Sequence, residues 1–396
     1  MRYLIWTGCM AVFLATGCTA ILTDYRDAGE DTGADTDTDT DTDMDTDTDT
    51  DTDTDSGTET DTGTDTDTGT DTGTDPLIRF VRMDGTVDGD GRSWTTAFNS
   101  VVVALNEAAE VAAMEGTCDV WVAQGAYRPS NGTNREATFH PAPGVRLIGG
   151  FVGNEETAEE RAPLDNPTIL SGDIGVASDP SDNVYHVVTG SNDSAVMGFT
   201  ITGGMGGTGA SQRDGAGVYA EGDDFTLAEC IVEGNRAGDG EKAAVPTGGV
   251  PGTDGGRGGG VFIGAGTAII RDCEIRDNVG GLGGDGTNGD DGDMSDGGQG
   301  GGGVGVFVGG GAEVTIDSSV IHNNECLDGG TGGLTETGMS GGGAPGGRGG
   351  SGGGIHVAPG ASLTMIDSEV TGNRAGPEGQ SSGYTLIVQA GSGGGV

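Results

Sequence analysis

Aromatic residues make up only 5% of this 396-residue chain, which excludes a conventional core of large rings. Basic residues are scarce too: 17 Lys and Arg stand against 63 Asp and Glu, a formal net charge of −46. Phosphate backbones are bound by clustered Lys and Arg, so nucleic acid is excluded as a partner. After the first few residues, no run is apolar enough to cross a bilayer. Glycine is what abounds, with 84 residues, and inside a helix each costs roughly 1 kcal/mol relative to alanine. Hydrophobic residues still reach 33%, so the composition predicts short strands joined by glycine-rich loops.

At the N-terminus, Arg2 precedes a short apolar run from Tyr3 to Leu14, followed by Ala15, Thr16, Gly17 and Cys18. This resembles the lipobox of bacterial lipoprotein signal peptides. The resemblance implies a signal peptide over 1–17, lipidation of Cys18 and attachment to a membrane. Thr19 in place of Asp favours the outer membrane, and surface exposure is expected. From Asp24 to Asp75 the chain is almost wholly Asp, Thr and Gly, with a single Arg26. Such a segment buries too little surface to offset ordering entropy. Residues 18–75 therefore read as a disordered tether, extended by self-repulsion to well over ~100 Å at about 3.3 Å per residue.

Composition shifts at Leu77, and residues 76–396 read as one folded domain. A helix is expected from Ala97 to Met114, capped by Thr95 or Thr96, with a strand following over Asp119–Ala123. Four later units then share one frame: Gly217–Asn235, Gly260–Asn278, Gly305–Asn324 and Gly354–Asn373. Laid over one another they give apolar columns. Phe225, Ala268, Val314 and Leu363 form one, and Leu227, Ile270, Ile316 and Met365 the next. Val232, Ile275, Ile321 and Val370 form another, with Cys230, Cys273, Ser319 and Ser368 at a corner. No unit can bury its face alone, so each must stack on the next. The fold expected is all-β: a right-handed parallel β-helix solenoid with an N-terminal capping helix and protruding Gly-rich loops. Asn235, Asn278, Asn324 and Asn373 lie 43, 46 and 49 residues apart and should form a structural ladder of amides in left-handed backbone. Loops leaving after each Asn should make one ragged face. Gly391–Val396 opens another unit, and the chain reads as a fragment.

The order Asp90-Gly-Arg-Ser-Trp-Thr-Thr-Ala-Phe98, Val120-Trp-Val-Ala-Gln-Gly-Ala-Tyr127, Arg146-Leu-Ile-Gly-Gly-Phe151 and Asn166-Pro-Thr-Ile-Leu-Ser-Gly-Asp173 resembles extracellular β-helix proteins of the pectate-lyase-like superfamily. Glu233-Gly-Asn-Arg-Ala-Gly238 and Thr371-Gly-Asn-Arg-Ala-Gly376 are similar to repeats of polymorphic outer membrane proteins, a class of surface adhesins. The first resemblance raises a polysaccharide lyase using calcium. For this the column Glu229, Asp272 and Asp367, interrupted by Ser318 and flanked by Arg271 and Arg276, offers carboxylates. Asp and Asn are also ordinary corner residues, and that reading is preferred. Paired Asp, Gly-His-Gly and Arg-Ile-Lys sets of polygalacturonases are absent. His140, His186, His322 and His356 are isolated in sequence, with His322 and His356 expected to face outward. Gly283–Asp293 resembles a calcium loop in composition alone. Cys230 and Cys273 fall within disulfide range but are expected to pack reduced; Cys118 and Cys326 are unassigned. The expectation is therefore no catalytic residue and no cofactor, with a non-enzymatic, lipid-anchored surface protein making adhesive or glycan contacts. A polysaccharide lyase or glycosidase, and a purely structural envelope component, stay open.

Overall fold

The computed structural model describes residues 77–242, 250–287, 295–333 and 344–377. All belong to the second of two units, Asp71–Val396. The expected signal peptide over 1–17, Cys18 and the acidic segment expected to form a tether lie outside the described residues, as do Gly283–Asp293 beyond Thr287 and the segment Gly391–Val396.

The described elements begin with β1 (Ile78–Thr86), α1 (Val101–Glu115), β2 (Cys118–Ala123), β3 (Gly125–Tyr127), β4 (Val145–Phe151), β5 (Thr168–Ser171), β6 (Val188–Gly190), β7 (Ala195–Met197) and β8 (Thr200–Thr202). Four triplets follow: β9 (Val218–Glu221), β10 (Phe225–Ala228) and β11 (Ile231–Glu233); β12 (Val261–Ala265), β13 (Thr267–Arg271) and β14 (Glu274–Arg276); β15 (Val306–Val308), β16 (Glu313–Asp317) and β17 (Val320–His322); β18 (Ile355–Val357), β19 (Ser362–Ile366) and β20 (Glu369–Thr371). Each strand of a triplet joins a different sheet. Among the described residues these are an eight-stranded sheet β1-β2-β4-β7-β10-β13-β16-β19, a seven-stranded sheet β20-β17-β14-β11-β8-β5-β3 and a five-stranded sheet β18-β15-β12-β9-β6. Every pairing is parallel, so the domain is an all-β parallel stack with one helix.

Register follows the apolar columns. Phe225 pairs with Ala268, which pairs with Val314 and that with Leu363; Val232, Ile275, Ile321 and Val370 align likewise. These side chains fill one continuous core, to which α1 adds Val101, Ala104, Leu105, Ala108, Val111 and Ala112. The helix starts later than its sequence suggests. Trp94–Thr96 is a 3-10 turn capped by Ser93, and Phe98 lies in an extended segment bridged to Val81 and Thr86. Packing decides this: the Trp94 ring sits 4.8 Å from that of Phe80, and its Nε1–H donates to Glu155 O at 2.9 Å. Ser100 is the true cap, accepting from Val103 N, and Gly116 ends the helix in left-handed backbone at φ 85°.

The glycine-rich segments correct the expectation of a ragged face. They do leave after each Asn, but their described parts run as straight legs, outward over 236–242, 279–287 and 325–333 and back over 250–259, 295–304 and 344–353. Bonding repeats every third residue. Gly280, Gly283 and Gly286 donate to Glu325, Asp328 and Thr331 of the next outward leg, while Gly281 and Gly284 donate to Gly256 and Thr253 of the preceding return leg. Return legs copy the rule, with Gly252, Gly255 and Gly258 donating to Asp296, Gln299 and Gly302. A three-residue repeat without internal bonds is that of a polyproline-II-type chain, here packed side by side in a lattice. Residues at the third position, such as Leu282, Asp254, Arg257 and Gln299, face solvent. The other two positions are mostly glycine, with Ala237, Cys326 and Leu327 among the exceptions, and at several of them a side chain has no room: a Cβ on Gly301 would stand 1.7 Å from Gly256 O, and one on Gly281 1.9 Å from Gly238 O.

Candidate functional site

The corner between the eight- and seven-stranded sheets is turned by one residue per layer in left-handed backbone: Glu229, Asp272, Ser318 and Asp367, with φ of 52°, 53°, 48° and 44°. Asp and Asn tolerate this region better than most residues because their short side chains bond locally. The next residue points inward. Ser319 Oγ accepts from Cys273 N at 3.0 Å, and Ser368 Oγ from Ser319 N at 3.1 Å, so the hydroxyls tie layer to layer. Cys230 and Cys273 occupy the same column as buried thiols, and all four described cysteines are free. Burial pushes the Cys230 thiol up to about 12 and Cys273 well above its ordinary range, so neither is poised as a nucleophile.

Outside the corner lies a cleft of about 580 Å³, lined by Pro163, Leu164, Glu229, Asp272, Glu274 and Ser318 among others. Its carboxylates already hold cations. Arg161 Nη2 donates to Glu229 Oε1 at 2.7 Å, and Arg271 Nη1 stands 3.5 Å from Asp272. Glu274 Oε1 lies 3.3 Å from Arg276 Nε as an ion pair, and 3.0 Å from the His322 ring Nε2. Glu229, Asp272 and Asp367 are thus stacked in one column but not gathered around a point. Among the described residues, no group of three or more His, Cys, Asp or Glu is placed to hold a metal ion. On Gly283–Thr287 the one carboxylate, Asp285, accepts from the backbone and hydroxyl of Thr331 at 2.8 and 2.6 Å.

The Asn column runs through the opposite edge of the seven-stranded sheet. Asn235 Nδ2 donates to Asn278 Oδ1 at 3.1 Å, Asn278 Nδ2 to Asn324 Oδ1 at 3.0 Å and Asn324 Nδ2 to Asn373 Oδ1 at 3.0 Å. Left-handed backbone falls one residue earlier than expected, on Gly234, Asp277, Asn323 and Gly372, which frees the Asn side chains to point into the core.

The four histidines separate. His140 Nδ1 sits 2.9 Å from Thr189 O, and His322 faces Glu274. His186 and His356 end a ladder of rings that sequence reading missed: His186, Tyr219, Phe262, Phe307 and His356, with successive centroids 5.1, 5.2, 5.1 and 5.3 Å apart. Arg257 covers it, 5.4 Å above Phe262 and 4.6 Å above Phe307. The signal was present, since each ring in the last four layers directly follows the Gly-Val or Gly-Ile that opens a unit.

With this geometry in view, the chain was compared with protein-family models, curated proteins and solved structures. It matches none of them. Its likeness to pectate-lyase-like proteins therefore rests on the quoted motifs and the parallel architecture.

Proposed function

We propose that this chain is a lipid-anchored envelope protein whose domain is a right-handed parallel β-helix, carried off the membrane by the acidic tether, and that it binds uncharged glycans without cleaving them. One observation carries the reading: the corner cleft is built from the same turn residue in successive layers. Polar groups therefore recur along it at about the 4.8 Å interval of stacked strands, an array suited to a polymer of repeating units. Arginine-paired carboxylates and the Ser318 hydroxyl offer acceptors and donors for sugar hydroxyls, and Pro163 and Leu164 offer an apolar wall. A polyuronate would meet the like charges of Glu229, Asp272 and Glu274, which weighs against the lyase reading.

Glycan-array binding by the full chain tests this. Binding to neutral polysaccharides should persist in high salt and weaken about tenfold or more in Asp272→Ala, the cost of a charge-assisted hydrogen bond. An array without neutral ligands would remove the glycan reading. Release of unsaturated uronate with calcium would replace it with a lyase.

A further inference from the structure

Past the Asn edge of the seven-stranded sheet, where Met205 bridges Arg236 of the next layer, a second cavity of about 460 Å³ opens. It shares no lining residue with the corner cleft. Its charged lining is two arginines, Arg135 and Arg236, against one carboxylate, Asp239. A net positive lining stands out in a chain of net charge −46. The two arginines differ in what holds them. Arg236 Nη2 donates to Asp239 Oδ1 at 2.6 Å, and the same oxygen accepts from Leu282 N at 2.9 Å, so this pair is closed. Arg135 is held by dipoles. Its Nε donates to Asn183 O at 2.7 Å and its Nη2 to Met205 O at 2.8 Å, while its guanidinium lies 4.4 Å from the centre of the Tyr185 ring. Tyr185 is tied to the same segment, its N–H donating to Arg135 O at 2.8 Å. Carbonyls and a ring face orient a guanidinium without cancelling its charge, and the stacked ring keeps water off one side, which strengthens its pull on an anion.

We infer that this cavity binds one acidic sugar residue, its carboxylate on Arg135 and its hydroxyls on Ser181, Thr208 and Gln212, which complete the polar lining. Ser181 Oγ donates to Asp179 Oδ1 at 2.7 Å and Thr208 Oγ1 to Glu241 Oε1 at 2.8 Å. With their protons so directed, both oxygens serve a ligand as acceptors, the role that sugar hydroxyls require. Asp179 and Glu241 stand behind these hydroxyls, outside the lining, and repel any ligand of high negative charge. The site therefore suits a single anionic group. A planar guanidinium matches a carboxylate through parallel hydrogen bonds, whereas a phosphate dianion brings more charge than the lining offsets.

Titration calorimetry of the full chain with D-glucuronate and D-glucuronamide tests the inference, because the two ligands differ in charge and not in their hydroxyls. Glucuronate should bind at least about tenfold more tightly, as a charge-assisted hydrogen bond provides. Asp272→Ala, in the corner cleft, should leave that affinity unchanged. Arg135→Gln, with its folding checked by thermal unfolding, should bring the two ligands to equal affinity. Thr208→Val, at an exposed position, should weaken both about threefold or more and keep the preference for the acid. Equal affinity for both ligands in the parent, binding of neither, or unchanged binding in Thr208→Val would overturn the inference. So would a preference that survives in folded Arg135→Gln, or glucuronate binding lost in Asp272→Ala, which would give the acid to the corner cleft.

Discussion

Replacing Gly281 by alanine separates a lattice from a loop by the sign of the effect. In a loose loop, Gly→Ala at a compatible backbone stabilises by about 0.4–1 kcal/mol, because the unfolded chain loses freedom. In the lattice the new Cβ would stand 1.9 Å from Gly238 O and 2.5 Å from Gly256 N, both backbone atoms. Real contacts need upward of 3 Å, so the leg must give by about 1 Å. That movement breaks the bonds from Gly281 N to Gly256 O (3.1 Å) and from Gly301 N to Gly281 O (2.9 Å). Each is worth about 1 kcal/mol net, and the groups they leave unpaired are buried, so the loss should reach roughly 3–5 kcal/mol. Thermal unfolding of the full chain would show this as a fall on the order of 10 °C. Stacked units need not unfold in one step, so exchange protection of 253–258 and 298–303 should be read alongside. Leu282→Ala, at a solvent-facing position of the same leg, is the control and should stay within about 1 kcal/mol of the parent. Equal melting of the two variants would refute the lattice argument.

Two further outcomes follow from the columns. Asn278→Ala removes bonds to Asn235, Val232 and Asn324 in a fully buried site, and should lower stability by about 2–4 kcal/mol in urea unfolding; a loss below about 1 kcal/mol would mean the amide ladder contributes little. Burial, with Arg257 nearby, holds His356 below its ordinary 6.5, so the fold keeps the imidazole neutral while the unfolded chain takes up a proton near that pH. The contribution is whole above 6.5 and drains away as pH falls towards the folded value. His356→Phe, which continues the ring ladder, should therefore flatten the stability loss between pH 7 and 5, and an unchanged pH profile would assign that loss to other groups.

Sequence patterns reached the stack because a parallel strand repeats its face at period two, and a column such as Leu227, Ile270, Ile316 and Met365 is visible once four units are aligned. They reached the Asn column as well, yet placed the left-handed residue one position late. The frame marks a conserved corner but not which of two adjacent residues takes positive φ, and Asp277 and Asn323 are as able to do so as Asn278 and Asn324. Helix α1 was placed too early because Ala97 and Phe98 fit a helical period, while the pull of Trp94 and Phe98 onto neighbouring strands is a tertiary effect. For the corner, the sequence shows that Glu229, Asp272 and Asp367 align, but not that Arg161, 68 residues from Glu229, reaches across to occupy its carboxylate.

The glycine legs hold the more general lesson. Gly280-Gly-Leu-Gly-Gly-Asp-Gly286 and Gly346-Gly-Arg-Gly-Gly-Ser351 carry a period of three, which a search for periods of two and 3.6 passes over as loop. In this fold the scarcity of aromatics and the excess of glycine are one fact. The coil interior is closed by small and β-branched side chains such as Val232, Ile275 and Ala268, whereas the legs contribute almost no apolar side chains and cohere through backbone bonds to several neighbouring legs. Net stabilisation per bond is modest, and at positions such as Gly281 and Gly301 a Cβ would meet a neighbour's carbonyl oxygen, so glycine is favoured there by contact distance and not by flexibility. Left-handed φ is confined to Gly258, Gly303 and Gly352 near the inner ends of the return legs: Gly281, Gly284, Gly298, Gly301 and Gly330 all avoid it, and what their missing side chain supplies is room for a neighbour's carbonyl.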